Sequence, residues 1–233
     1  MSNIKRHDGA GEGDVEAFLA RVREMPAPAA SGGRGRLVLA MDATMSRQPG
    51  WDMALSIQGS MFAEAGRVGG LDVQLVYFRG FDECRASKWT PDTDGLARLM
   101  SGIRCQGGRT QIGRVLKHLK AEAARGKVSA CIYIGDALEE PIDGLAQVAG
   151  EIGLLGIPVF MFQEGHDKTA EMGFREIARL TRGAYFRFGS NAAGILRELL
   201  AAVAVYAAGG FAALENHSAQ RGGAATLLLN QMK

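Results

Sequence analysis

Apolar residues along the chain fall into two kinds of segment. Short, mostly apolar runs at 37–41, 73–78, 128–134 and 157–162 are typical of strands that are covered on both faces. The segments between them carry apolar residues three and four positions apart, which predicts amphipathic helices. Strands that alternate with helices form a mostly parallel sheet with helices on both sides. The pattern therefore predicts a doubly wound α/β fold.

Three further elements complete this prediction. A turn after the second run predicts that residues 83–87 form a short antiparallel strand at the edge of the sheet. Two successive helices are predicted from apolar sets at 96–103 and 112–119. A last strand at 184–188 precedes a helix that should end at the glycine pair 209–210, because glycine is favoured at helix C termini.

The predicted domain boundaries follow from where the alternation of strands and helices begins and ends. Residues 1–35 predict a short helix at 14–25 and then a flexible linker rich in proline, alanine and glycine. Residues 36–208 form one predicted domain. Residues 209–233 form a predicted tail, in which an apolar stretch at 224–229 is a candidate docking helix. Whether the first helix and the tail dock on the domain or on a partner stays open.

Composition excludes several classes of function. The 27 basic and 25 acidic residues are scattered and leave a net charge of +2, so there is no electrostatic case for a nucleic-acid or membrane-surface partner. The N terminus lacks the apolar core of a secretory signal, and the apolar run at 199–208 is too short to cross a bilayer. Three cysteines without a CxxC pair predict reduced thiols. These features predict a cytoplasmic protein.

Side chains with oxygen atoms follow three of the predicted elements. Asp42, Thr44 and Ser46 follow the first strand, Thr110 follows a glycine pair that opens a helix, and Asp136 follows the strand at 128–134. Ligands of open parallel sheets collect beyond the carboxyl ends of the strands, where the strand order reverses, so we expect these side chains to meet. Two carboxylates and three hydroxyls suit a hard cation such as Mg²⁺, with Mn²⁺ as an alternative.

The order of these residues resembles the metal-ion-dependent adhesion site (MIDAS) of von Willebrand factor type A (VWA) domains, a fold that the integrin inserted domains share. The matching residues, within about 37–207, are Asp42-x-Thr44-x-Ser46, Thr110 after a double glycine and Asp136 after a glycine. Two positions depart from the usual motif. Thr44 replaces a serine but keeps the hydroxyl, and Met45 replaces a common glycine.

The resemblance implies a Rossmann-like VWA fold and a Mg²⁺ ion bound directly by Thr44, Ser46 and Thr110. Asp42 and Asp136 would balance its charge, largely through water, and an Asp or Glu of a partner protein would complete the coordination. The lack of a signal sequence likens the chain to stand-alone, bacterial-type cytoplasmic members of the family. Some of these work beside AAA+ ATPases or chaperone-like complexes, which are therefore candidate partners.

Three residues near the predicted site are candidate contacts for a partner. Trp51 is expected to pack in the core, with a role as a partner anchor as the alternative. Arg109 could meet a partner carboxylate or lie in solvent. Glu139 and Glu140 precede Pro141 at a predicted helix start, where the helix dipole favours acidic residues, and Glu139 could also shape the metal face.

A non-enzymatic binding module is the function that the sequence favours. The alternative is a Mg²⁺-dependent phosphatase or phosphotransferase. Such enzymes commonly place a second acid two residues after an aspartate nucleophile, where this chain has Thr44, and no Walker-type lysine follows a glycine-rich loop. A third possibility is a metal that only stabilises the fold.

Overall fold

A computed structural model describes residues 34–67, 69–189 and 193–221. The predicted helix at 14–25 and the predicted apolar segment at 224–229 lie outside the described residues. The strands are β1 (Gly35–Asp42), β2 (Leu71–Arg79), β3 (Glu83–Ala86), β4 (Ala130–Gly135), β5 (Val159–Glu164) and β6 (Tyr185–Phe188). The helices are α1 (Gln48–Ala65), α2 (Thr93–Ser101), α3 (Ile112–Arg125), α4 (Ile142–Leu154), α5 (Lys168–Leu180) and α6 (Ala193–Arg221).

The strands form one sheet in the order β3-β2-β1-β4-β5-β6. All neighbours are parallel except β2 and β3, which are antiparallel at the edge. The predicted fold class is therefore confirmed. β1 pairs with β2 on one side and with β4 on the other, so the strand order reverses at β1. Ligands of open α/β sheets bind at such a switch point, beyond the carboxyl ends of the strands.

The core lies in two layers on the two faces of the sheet. Successive side chains of a strand point to opposite faces. Leu37, Leu39 and Met41 of β1 pack with α1, α2 and α6 on one face. Val38 and Ala40 pack with α3, α4 and α5 on the other. Because β1 is buried on both sides, it is a rigid base for the residues that follow it.

The last helix differs from its prediction beyond the glycine pair. Gly210 has φ 74° and ψ −167°, which interrupts α6 near the predicted end, but a second helical segment continues to Arg221. The first segment packs on the sheet beside the start of β1. A Cβ atom on Gly35 would lie only 2.2 Å from the carbonyl oxygen of Ala207, so the two backbones are in direct contact. None of the described helices has the length and hydropathy that crossing a membrane requires.

Candidate metal site

The motif after β1 runs from the core to the surface within five residues. Asp42 is buried, with 1% of its surface exposed, and its Oδ1 accepts a hydrogen bond from the Thr44 amide at 2.7 Å. Thr44 is half-buried, and Ser46 is exposed within the 3₁₀ turn Met45–Arg47 that leads into α1. Only Ala43 and Thr44 separate the strand from this turn, so all three predicted ligands lie close to the end of β1.

Asp136 follows β4, the parallel neighbour of β1, and contacts the first motif directly. The Ser46 hydroxyl donates to Asp136 Oδ2 at 2.8 Å. Asp136 Oδ1 is buried and has no hydrogen-bond partner among the described residues. A buried carboxylate oxygen without a partner is destabilising, and native structures normally satisfy such an atom with protein, water or an ion. The arrangement therefore calls for a further group at this oxygen.

The loop that carries Thr110 closely approaches the turn after β2. The amide of Arg109 donates to the Gly80 carbonyl at 3.0 Å. A Cβ atom on Gly108 would lie 1.9 Å from the same carbonyl oxygen, an approach that only glycine permits. A Cβ atom on Gly107 would meet nothing within 4 Å. Only the second glycine of the predicted pair is therefore required for the loop.

Glu139 and Glu140 contact the start of α3, which corrects the prediction that they interact with the helix that follows them. The Thr110 amide donates to Glu139 Oε2 at 2.9 Å, and the Glu139 amide donates to Thr110 Oγ1 at 3.0 Å. The amides of Ile112 and Gly113 donate to the two carboxylate oxygens of Glu140 at 2.5 and 2.9 Å. The helix dipole still favours both acids, but it is the dipole of α3.

Burial raises the pKa of the Glu140 carboxyl. The amides of Gly113 and Ile112 and the hydroxyl of Thr110 oppose this rise because they stabilise the charged form, whereas the negative charge of Glu139 adds to it. The carboxylates of this edge thus lie close enough to influence one another.

The other two candidate partner contacts have different positions. Trp51 is only 1% exposed, its indole nitrogen donates to the Met100 carbonyl at 3.1 Å, and its ring meets Tyr77 edge-on. Core packing therefore accounts for Trp51, and a partner at the surface cannot reach it. Arg109 is exposed, with its guanidinium 6.0 Å from the centre of the Phe81 ring.

Two side chains that organise this edge had no clear signal in the sequence. Gln111 is buried, and its amide nitrogen donates to three backbone carbonyls of the β2–β3 hairpin. Glu140 caps a helix that starts 28 residues before it. The one available signal for Gln111 is its polar side chain between Thr110 and the apolar residues of α3.

Hydrogen bonds join four of the five predicted ligands as two separate pairs. Asp42 and Thr44 share one hydrogen bond, and Ser46 and Asp136 share another. Thr110 is tied through Glu139 to the loop that follows Asp136. No cluster of three or more His, Cys, Asp or Glu side chains that could hold a metal occurs within the described part of the chain. The predicted set has only two such side chains, so a metal here would depend on hydroxyl ligands.

Comparison with known proteins gives the fold. No protein-family model and no curated protein matches the sequence. A von Willebrand factor type A protein from Catenulispora acidiphila aligns with a TM-score of 0.59 and 18% identity, over 74% of this chain and 43% of that one. The SpRpn10 VWA domain aligns with a TM-score of 0.56 and 11% identity, over 72% of this chain and 92% of that one.

A third similar structure contains a metal. Proximal thread matrix protein 1 from the mussel byssus, described with a zinc-occupied MIDAS motif, aligns with a TM-score of 0.56 and 13% identity, over 74% of this chain and 46% of that one. This chain spans less than half the length of the bacterial and mussel proteins. At these identities the likeness establishes the fold alone. The chain has the VWA fold.

Proposed function

We propose that this chain is a non-enzymatic, protein-binding module that holds one divalent cation, Mg²⁺ or Mn²⁺, at the carboxyl ends of β1 and β4. Thr44, Ser46 and Thr110 supply hydroxyl ligands, and Asp42 and Asp136 supply negative charge, largely through water. The cation acts as a Lewis acid toward an Asp or Glu side chain of the partner. We place this interaction in the cytoplasm.

The observation that carries the proposal is the environment of Asp136. One of its carboxylate oxygens accepts from Ser46, and the other is buried with no partner among the described residues. In the described parts of the chain, no lysine or arginine forms an ion pair with Asp136. A divalent cation would satisfy both the charge and the buried oxygen atom.

The donor atoms favour a hard cation. All five proposed residues offer oxygen, whereas protein zinc sites are built mainly from cysteine sulfur and histidine nitrogen. The zinc named for the mussel protein makes zinc the informative competitor in a binding experiment. We therefore expect Mg²⁺ and Mn²⁺ to bind at physiological concentrations of each ion.

The surface beside the proposed site suits a protein partner. Met45, within the first motif, is 64% exposed, and Phe81, in the turn next to Gly108, is 70% exposed. Exposed apolar side chains around a polar site are a feature of protein-binding surfaces. Arg109 adds a cationic group that could contact a second acidic residue of the partner. By analogy of fold, an AAA+ ATPase or a chaperone-like complex is a candidate source of this partner.

Metal binding is tested first, by isothermal titration of the purified protein with Mg²⁺, Mn²⁺ and Zn²⁺. We expect one saturable site for Mg²⁺ and Mn²⁺, and at least about tenfold weaker binding in Thr110→Ala. Thr181→Ala is not a suitable control because its buried hydroxyl is hydrogen-bonded, so the exposed Ser56→Ala serves instead. Wild-type protein that shows no saturable binding would contradict the proposal.

Partner binding is tested by affinity capture from native cytosol, with Mg²⁺ and with chelator. We expect proteins that are retained only with Mg²⁺ and are lost with Asp42→Ala. The same proteins in both conditions would contradict a metal-dependent contact. Chelation that lowers the melting temperature but leaves partner binding intact would indicate a structural metal, and turnover of p-nitrophenyl phosphate would indicate a phosphatase.

A further inference from the structure

Four hydrogen bonds join the loop after β4 to the start of α3. Thr110 and Glu139 exchange two of them, at 2.9 and 3.0 Å, and Glu140 receives the other two from Ile112 and Gly113. The loop after β4 carries Asp136, and the segment that leads into α3 carries Thr110. The two glutamates therefore connect two segments that each contribute a proposed ligand.

The start of α3 depends on these distant residues. Gln111 is the N-cap residue, and its side chain makes no capping hydrogen bond. The first amides of a helix have no partner within the helix, so they need one from outside. Glu140 supplies acceptors for two of these amides, those of Ile112 and Gly113. The position of the α3 N terminus, and of Thr110 just before it, is therefore set by the loop after β4.

The hydroxyl of Thr110 is held by Glu139, and Glu140 acts on it through the start of α3. A threonine hydroxyl has one proton to donate and two lone pairs that can accept. The Glu139 amide uses one lone pair, at 3.0 Å. One lone pair remains, which is what a ligand to a cation must offer.

The carboxylate of Glu139 is itself engaged with the Thr110 amide. This bond uses only Oε2, so Glu139 can position Thr110 while its second oxygen stays available to a partner, the role expected for it from the sequence. Glu139 and Glu140 thus have distinct contacts, because Glu139 bonds to Thr110 whereas Glu140 bonds mainly to the amides of α3.

We propose that Glu139 and Glu140 are positioning residues that hold the Thr110 hydroxyl in the orientation required to bind the cation. This inference rests on the proposed function, because the cation is the group toward which Thr110 is oriented. Neither glutamate is a ligand. Their effect on metal affinity passes through Thr110 and through the fixed position of α3.

The experiment combines Mn²⁺ affinity, measured by electron paramagnetic resonance, with amide hydrogen exchange and thermal unfolding of the metal-free protein. In Glu139→Ala we expect about 10- to 100-fold weaker Mn²⁺ binding, faster exchange at the Thr110 amide and an almost unchanged melting temperature. Glu139→Gln keeps an oxygen acceptor for that amide and should recover most of the affinity. A purely structural role would not produce this rescue at constant melting temperature.

The conservative variant Glu140→Gln tests the second residue, because removal of the whole side chain could unfold the start of α3. It keeps one acceptor oxygen, so we expect faster exchange at Ile112 or Gly113 and a smaller loss of Mn²⁺ affinity than in Glu139→Ala. Glu198→Ala, an exposed carboxylate of α6, is the matched control and should leave every readout unchanged.

The outcomes separate this inference from the proposed function. Wild-type protein that fails to bind Mn²⁺ would overturn the proposed function and the positioning role together. Wild-type protein that binds Mn²⁺, with Glu139→Ala binding equally well, would overturn the positioning role alone. Faster exchange at Thr110 without any loss of affinity would also overturn it, because the bond would then exist without orienting a ligand.

Discussion

Two groups of carboxylates in this molecule have different kinds of partner. The first, the Glu122 cluster, consists of Arg36, Trp89, Glu122 and Arg125. Glu122 is 4% exposed and accepts from the indole nitrogen of Trp89 at 3.0 Å and from Arg125 at 2.6 Å. Arg36 lies 3.6 Å away and stacks on the Trp89 ring. Arg36 and Arg125 of the same chain thus balance the negative charge of Glu122.

The second group, the edge carboxylates Asp136, Glu139 and Glu140, has no arginine or lysine partner among the described residues. Their hydrogen bonds come from hydroxyl and backbone amide groups, and within residues 34–67, 69–189 and 193–221 none of them forms an ion pair with lysine or arginine. Buried charges are normally paired or coordinated to metals.

The pKa values of one carboxylate from each group, Glu122 and Glu140, shift in opposite directions. Burial acts to raise the pKa of Glu122, but the hydrogen bonds from Trp89 and Arg125 outweigh it and the pKa is lowered. Burial raises the pKa of Glu140, and the neighbouring amides do not outweigh it. A carboxylate that serves the fold is accompanied by cations of its own chain. Asp136 has no such cation among the described residues, and the proposed function would supply one.

The largest expected effect is that of Asp136→Asn, which removes an edge charge but keeps an acceptor for Ser46. We expect about 100-fold weaker Mg²⁺ binding, or roughly 2.7 kcal/mol, because the charge that balances the cation is lost. Without metal, we expect the free energy of unfolding to fall by less than about 1 kcal/mol, since the buried charge had no cation. Calorimetric titration and urea unfolding in chelator measure the two quantities. A large loss of stability in chelator would place Asp136 with the structural carboxylates.

Glu122→Gln should have the opposite signature. The variant loses charge-assisted hydrogen bonds to Trp89 and Arg125, so we expect the free energy of unfolding to fall by about 1.5–3 kcal/mol. Mg²⁺ affinity should not change. Urea unfolding and calorimetric titration of the same preparation test both statements.

Glu176→Gln is the matched control for this variant. It breaks an exposed ion pair with Arg179 and should cost less than about 1 kcal/mol. If Glu122→Gln weakened Mg²⁺ binding, the two groups of carboxylates would not be independent.

The smallest expected effect concerns His118, which neighbours the Glu122 cluster. Its Nε2 lies 2.9 Å from Gln74 Oε1, and burial lowers its pKa, with Arg125 adding to this and Glu122 opposing it. The unfolded chain therefore takes up a proton at a pH where the folded protein does not. Stability is complete above about pH 6.5, the ordinary histidine value, and is lost as the pH falls through the lowered pKa.

Urea unfolding of wild type and His118→Gln between pH 5 and 8 measures this effect. We expect wild type to lose stability relative to the variant as the pH falls. A constant difference between the two proteins would contradict the pKa shift. A difference of opposite sign would mean that a protonated His118 pairs with Glu122.

The strands could be predicted because the burial of each strand is evident from its own residues. β1 and β4 are buried along nearly their whole length, so each appears as an apolar run, and the polar residues Asp42 and Asp136 mark their ends. The alternation of these runs with helical spacing was enough to predict a doubly wound sheet and its antiparallel edge strand. The meeting of Ser46 with Asp136 followed from topology alone, since β1 and β4 are parallel neighbours.

Contacts between distant segments could not be predicted in the same way. Glu139 and Glu140 precede Pro141 and α4, and nothing in the local sequence indicates that their side chains reach α3 instead. Trp51 lies close to Ser46 in sequence, but the first turn of α1 directs it into the core. Sequence proximity does not give the direction in which a side chain points once the chain has turned.

The contact between Gly35 and Ala207 has a consequence for how such a unit can be combined with others. The chain enters the first strand and completes the main part of its last helix at nearly the same place. When the first and last residues of a unit lie side by side, its two attachment points in a host polypeptide are only a short distance apart. It can be spliced into a surface loop of another protein, or extended at both ends, without pulling the sheet apart.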